Sequence, residues 1–305
     1  MNRKHINKLA RERDRLIEDL NAQMLTSFAK SQSMFTKLFF DGFIDKLQRD
    51  DNGIVLNNAF NRNLMLTVDN IFAAFYKQAS PIIVTALVGG VSKVIDFNDR
   101  YFSTLTKDAK LLPIKEKVMK NVKEWLGIEG DKTAKRNGYI DTIIQTPDLK
   151  VKIKNMAMKS VYGQQGWFSM RDEFAEWLNP IPTRGNSDEY GKLKQYYRNY
   201  TYDLYSQIDR GTALTFADEL KFEFAVYEGG LIETSRKFCK EHNGKVYHKT
   251  EIQEFKLEEA IPPNYNPFVD LGGYGCRHHL NWIPNTLAFF MRSDAEEYLK
   301  SLKAA

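Results

Sequence analysis

Cysteine is nearly absent from this sequence: two among 305 residues, at positions 239 and 276. Two thiols cannot form the disulfide framework of a small secreted domain, so a reduced cytosolic setting is expected, with a single bridge left open. Long apolar runs are missing too. The most apolar stretch, PIIVTALVGGV from Pro81, extends eleven residues before Ser92 and Lys93, against roughly 20 for a bilayer crossing. The charged opening MNRKHINKLARERDRLIEDL lacks the apolar core of a signal peptide. These absences predict a soluble protein, made and used without export and without a membrane partner. Charge of one sign is not in excess either: 44 Lys and Arg against 39 Asp and Glu leave +5. That excludes a polycation of the histone kind and confines any polyanion contact to a local patch.

What is present is enough to build a core. A hydrophobic share of 43%, with 13% aromatic, excludes global disorder. The chain is long enough for one large domain or two ordinary ones. The first 47 residues carry Ile6, Leu9, Leu16, Leu20, Met24, Phe28, Phe35, Phe39 and Phe43 mostly at helical steps, which predicts a long amphipathic helix with a break near Ser31 or Ser33. DDNG at 50–53 supplies turn chemistry. From Leu64 to Leu105 the pattern is apolar and helical. Ser80-Pro81 there fits an N-cap with proline at the first helical position, and Gly89-Gly90 fits a helix end or a close helix contact.

Further on, Ser169 and Asp172 fit a capping box, and NPIPTRGNSDEYG at 179–191 fits a linker or long loop. A tyrosine-rich helix with Tyr196, Tyr197, Tyr200, Tyr202 and Tyr205 follows, its aromatic stripe suited to core or interface. RGTALTFADELKFEFAVYEGG then predicts a helix closed by Gly229-Gly230. Beyond Gly230 helical periodicity fades into short segments. The expected fold is mainly α, with long amphipathic N-terminal helices, a helical middle and a small irregular α+β C-terminal module. The expected regions are 1–135, 136–230 and 231–305.

Two features carry chemistry. Between Lys107 and Arg136 nine Lys or Arg accompany five acids, and KVKIKNMAMK follows at 150–159. Lys115, Lys117, Lys120, Lys123, Lys150, Lys152 and Lys154 are therefore candidates for contacting nucleic acid, if they cluster on one surface, and otherwise form solvated helix faces. The second feature is the terminal cluster. Both cysteines and four of the five histidines lie between residues 239 and 279. Cys239, His242, Cys276 and His278 form a candidate tetrahedral set of the thiolate and imidazole ligands that zinc favours. A Cys239–Cys276 disulfide and a plain packing cluster stay open as alternatives.

Catalytic arrangements are weaker. A cysteine–histidine pair would need an orienting carboxylate, with Asp270 the nearest. A metal-dependent nuclease or hydrolase could be imagined from Asp270, His278, His279 and Asn281, but Pro284 follows closely and breaks the expected strand-to-helix context. Arg236 and Arg277 suit the fastening of loop carbonyls or carboxylates.

The order ETSRKFCKEHNGKVYHKTEI, then Pro262-Pro263, then GGYGCRHHLNWIP resembles the C-terminal region of phage minor head proteins of the Mu F-like head-morphogenesis family. Thr234, Arg236, Cys239, Gly244, Lys245, Val246, Glu251, Ile252, Gly272, Gly273, Cys276, Arg277 and His278 occupy the positions of that family's pattern. The chain departs from it by a longer insertion before Cys276 and by His278 where the common form has a second cysteine. The resemblance implies a non-enzymatic virion component in the head near the portal, assembled in the host cytoplasm. It also implies portal and other head proteins as partners and association with packaged or exiting DNA. Within that picture Thr234, Arg236, Gly272, Gly273 and Arg277 would be structural motif residues.

Overall fold

In the first helix, α1 (Arg3–Gly42), the buried positions recur every three or four residues: Ala10, Arg13, Ile17, Leu20, Met24, Phe28, Ser31, Phe35 and Phe39. That is the face a 3.6-residue helix turns toward a core. Two outcomes differ from the sequence reading. The helix is unbroken at Ser31 and Ser33, whose hydroxyls bond back to the carbonyls of Ser27 and Ala29, so neither side chain competes for the helical backbone. Ile17 rather than Leu16 takes the buried position, and Arg13 fills the turn between Ala10 and Ile17.

The computed structural model describes residues 3–106, 111–145, 147–178, 203–262 and 264–304. The expected linker at 179–191, Tyr196, Tyr197, Tyr200 and Tyr202, Lys107 and Pro263 lie outside the described residues. The protein is mainly helical, with short strands in two small sheets among the described residues. It divides into two compact units, both discontinuous in sequence: residues 1–21, 89–122 and 202–305 form one, and 22–88 with 123–201 the other. The three consecutive regions expected from the sequence are thus redistributed, and 231–305 shares a unit with the first 21 residues.

The second unit is built on phenylalanine. Phe35 packs against Phe72 and Phe75 of α3 (Thr67–Ser103), at centroid distances of 4.9 and 5.2 Å, and Phe39 against Phe174 of α7 (Trp167–Leu178) at 5.0 Å. This unit also holds α2 (Ala59–Leu64), α5 (Tyr139–Gln145), α6 (Pro147–Tyr162) and the two-stranded sheet of β1 (Ile128–Glu129) with β2 (Thr133–Ala134). The Ser169 capping box does not form. Helix α7 starts two residues earlier, where the Trp167 amide donates to Gly53 O and its indole to Ile44 O, at 2.8 and 3.0 Å. These contacts, one with the 50–53 turn and one with Ile44, override the local cap.

Helix α3 likewise runs through both expected boundaries, Ser80-Pro81 and Gly89-Gly90. Ile83, Val84, Leu87, Val91 and Val94 beyond the proline are buried, and that burial holds the helix past a residue that cannot complete its hydrogen-bond ladder. Long and apolar enough by length and composition to cross a membrane, this helical run nonetheless has the buried face of a core helix. At Gly90 a side chain would collide with the Tyr205 hydroxyl, so this glycine serves close packing.

In the first unit, α4 (Leu112–Leu126) begins on this side of the division, and α8 (Leu204–Glu219) lies against a three-stranded antiparallel sheet. The strands are β3 (Phe224–Glu228), β4 (Val246–His248) and β5 (His279–Ile283), in the order β4-β3-β5. The single helix expected up to Gly229-Gly230 is therefore a helix followed by a strand. Lys221 takes a left-handed backbone, φ 57°, and Phe224–Glu228 finds ladder partners on both sides, a non-local gain that helical periodicity does not report. Short helices α9 (Lys237–His242) and α10 (Lys249–Gln253) flank β4. Helices α11 (Asn285–Met291) and α12 (Ala295–Ala304) contribute Ala288, Ala295 and Leu299 to a core with Phe224, Val226, Val246 and Ile283.

Candidate functional site

Side chains alternate across a strand, and residues paired across an antiparallel ladder share a face. Val226 pairs with Asn281 and Glu228 with His279, which puts Glu228, His279 and Asn281 on one face; Tyr227 pairs with Leu280 on the other. Two separate polar sites follow.

On the face of Tyr227 the two halves of the terminal cluster meet. Cys239 Sγ lies 3.9 Å from Cys276 Sγ, and Cys276 Sγ lies 3.8 Å from His278 Nδ1. The Tyr227 hydroxyl donates to Cys239 Sγ at 3.4 Å and stands 3.8 Å from Cys276 Sγ, while its ring stacks on His278 at 5.0 Å. All three ligand-type side chains are buried, and their ligand atoms lie within 4.8 Å of one another. A negative charge in this group rests best on Cys276. The Cys239 thiol as donor, then His278 and the Arg210 guanidinium, favour its thiolate against the cost of burial, and Cys239 is pushed up by its bond to Cys276 and by burial. The cysteines are free thiols, with no disulfide between them.

Of the four expected ligands, His242 stands apart. Its Nδ1 is 2.7 Å from the Phe238 carbonyl, and its ring lies among Phe238, Tyr247 and Phe255. Burial holds its imidazole below the usual histidine range. Spacing on α9 does not separate them, since residues three apart share a helix face; His242 is drawn off by the Phe238 carbonyl and the three aromatic rings, while Cys239 is the residue the helix buries.

Arginines hold the loop around the cluster. Arg236 donates to Gly272 O and Tyr274 O, at 2.9 and 2.5 Å. The buried Arg210 of α8 donates from Nε to His278 O, from Nη1 to Val269 O and from Nη2 to Cys276 O, at 3.0, 2.8 and 2.5 Å. Each satisfies loop carbonyls with a planar fork. Arg277 takes no part; it is half exposed and 3.8 Å from Glu18, and Thr234 is exposed. A side chain at Gly272 would place its Cβ 2.5 Å from Cys239 Sγ, so the loop closes on the thiols only with glycine there. Gly273 next to it has φ 83°.

On the opposite face lies a buried charge network. Arg13 donates from Nη1 to Asn281 Oδ1 at 2.5 Å and sets Nε 3.4 Å from Asp209 Oδ2. Asn98 donates to Asp209 Oδ1 at 2.8 Å, and Asn281 to Glu228 Oε2 at 3.1 Å. His279 meets a carboxylate at each nitrogen: Asp209 at 3.1 Å and Asp14 at 3.0 Å. The Arg13 guanidinium also sits over the rings of Phe97 and Tyr101. Burial alone would raise the Asp209 carboxyl, but the Arg13 charge, then His279 and Asn98, take it down to about 2.

Sequence reasoning missed Arg13, Asn98, Asp209 and Arg210. One signal was available for Arg13, a charge at a core-facing step of the first helix's apolar stripe. The residues imagined as a nuclease site are split: His278 joins the thiols, His279 and Asn281 join Arg13, and Asp270 accepts from Asn266 N and Gln207. The lysine candidates are largely paired. Lys115 faces Asp96 and Asp99, Lys117 faces Glu219, Lys123 faces Asp131, and Lys150 and Lys154 share Asp69.

Compared with known proteins, the chain matches no family model, no curated sequence and no solved structure.

Proposed function

We propose that this protein is a structural component of a phage head, a minor head protein at or near the portal vertex that assists head assembly, DNA packaging or ejection. The observation that supports the reading is the meeting of the two segments that carry the family resemblance. Arg236 and Cys239 from the first close onto Gly272, Tyr274, Cys276 and His278 from the second. The convergent groups are spent on loop carbonyls and on one another, which suits a fastening role better than turnover of a substrate. A DNA-binding role for the basic helices draws less support, because five of the seven candidate lysines already face carboxylates, whereas phosphate contacts need cations free to release counterions.

The test is composition of assembled particles. Heads purified from cells producing this chain together with its portal and capsid partners should contain it in low copy, and a portal ring should retain it through size-exclusion chromatography. Heads free of the chain, with the protein left soluble beside them, would end the proposal.

A further inference from the structure

We infer that Cys239 Sγ, Cys276 Sγ and His278 Nδ1 hold one zinc-class divalent cation, with the Tyr227 hydroxyl at the fourth corner. Zinc bonds of 2.3 Å to sulfur and about 2.0–2.1 Å to imidazole, at tetrahedral angles, require ligand atoms roughly 3.5–3.8 Å apart. The separations here are 3.9 Å between the sulfurs, 3.8 Å from Cys276 Sγ to His278 Nδ1, and 3.4 and 3.8 Å from the Tyr227 oxygen to the two sulfurs. The three ligand atoms thus all lie within 4.8 Å of one another, and the Tyr227 oxygen reaches both sulfurs at distances close to a tetrahedral edge before any ion is placed.

Charge and burial point the same way. Two thiolates, a neutral imidazole and a divalent cation sum to zero, so a bound cation would let both sulfurs ionise in a buried site. The scaffold is held from outside the ligand set. Arg210 fixes the carbonyls of Cys276 and His278, Arg236 fixes that of Gly272, and Gly272 keeps the space beside both sulfurs clear of a side chain. Such outer bonds are what orient metal ligands. Soft sulfur donors with one imidazole select zinc over magnesium or calcium, which take oxygen shells. The inference is independent of the head-protein reading.

Metal content of the folded full chain tests it, with cobalt(II) as the optical probe. Wild type purified from zinc-supplemented medium should carry about one zinc per chain. Reconstitution with cobalt should give thiolate charge transfer and the visible bands of a four-coordinate ion. Cys276→Ser and His278→Ala should abolish both signals, Tyr227→Phe should weaken binding, and His242→Ala should leave one zinc in place. Folded wild type with substoichiometric zinc and no cobalt bands would overturn the site, as would a Cys239–Cys276 disulfide in the isolated protein. Loss of the metal in His242→Ala, with circular dichroism unchanged, would overturn this ligand set. Because wild type and His242→Ala keep all four proposed ligands, the test survives misfolding of the cysteine variants.

Discussion

Adjacent residues with opposite destinations are the main feature at the residue scale. Asp209 and Arg210 are neighbours on one helix, and His278 and His279 are neighbours at the start of one strand. In both pairs one member enters the thiol site and the other the Arg13 network. Removing one partner of a buried ion pair strands the other charge, at a cost of about 3–5 kcal/mol. Arg13→Met should lose about that much in urea denaturation at neutral pH, since Asp209 keeps only His279 and Asn98. The pH dependence has a definite sign. The Asp209 carboxyl is lower in the folded protein, at about 2, than its ordinary 3.8, so its contribution is fully present above pH 4 and fades as pH falls toward 2. In Arg13→Met, where the carboxyl loses the charge that lowers it most, this loss of stability on the acid side should shrink. Coinciding pH profiles for wild type and Arg13→Met would show that Arg13 is not what holds the carboxylate.

At the scale of elements, the paired glycines of α3 separate two effects that their sequence cannot. Both sit inside a helix, where alanine is preferred by roughly 1 kcal/mol. Nothing lies within 4 Å of a Cβ built at Gly89, whereas at Gly90 it would meet the buried ring of Tyr205. Gly89→Ala should therefore raise thermal stability slightly. Gly90→Ala should lower it, because the clash, at about 1–3 kcal/mol for overpacking, exceeds the propensity gain. Equal shifts for the two variants would contradict the packing assigned to Tyr205. The strand Phe224–Glu228 is the element whose sequence misleads most. Its residues continue a helical spacing from α8, and only pairing with β4 and β5, 20 to 60 positions later, makes them a strand.

At the scale of the whole molecule, the terminal module is held by residues outside its own span. Its loop carbonyls are held by Arg210, and its strand β5 by Arg13 through Asn281 and by Tyr101, whose hydroxyl donates to Trp282 O at 2.9 Å. All of these partners precede residue 231. A fragment of 231–305 should accordingly lack fixed tertiary structure, with poorly dispersed amide resonances even when zinc is supplied. A folded, protease-resistant fragment would show that the module carries its own core.

The sequence by itself determined the helical character, the amphipathic first helix, the apolar third, and the grouping of thiols, imidazoles and glycines near the end. Each of these is local, set by periodicity or by residue type within a short window. Only the tertiary structure decided that His242 turns into an aromatic cluster, that His278 and His279 part company, and that Arg13 belongs with Asn281, 268 positions away. Spacing along the chain reports which residues share a helix face or a strand side. A buried charge or a candidate ligand acquires its partner through contacts between distant segments, and those depend on how the elements pack.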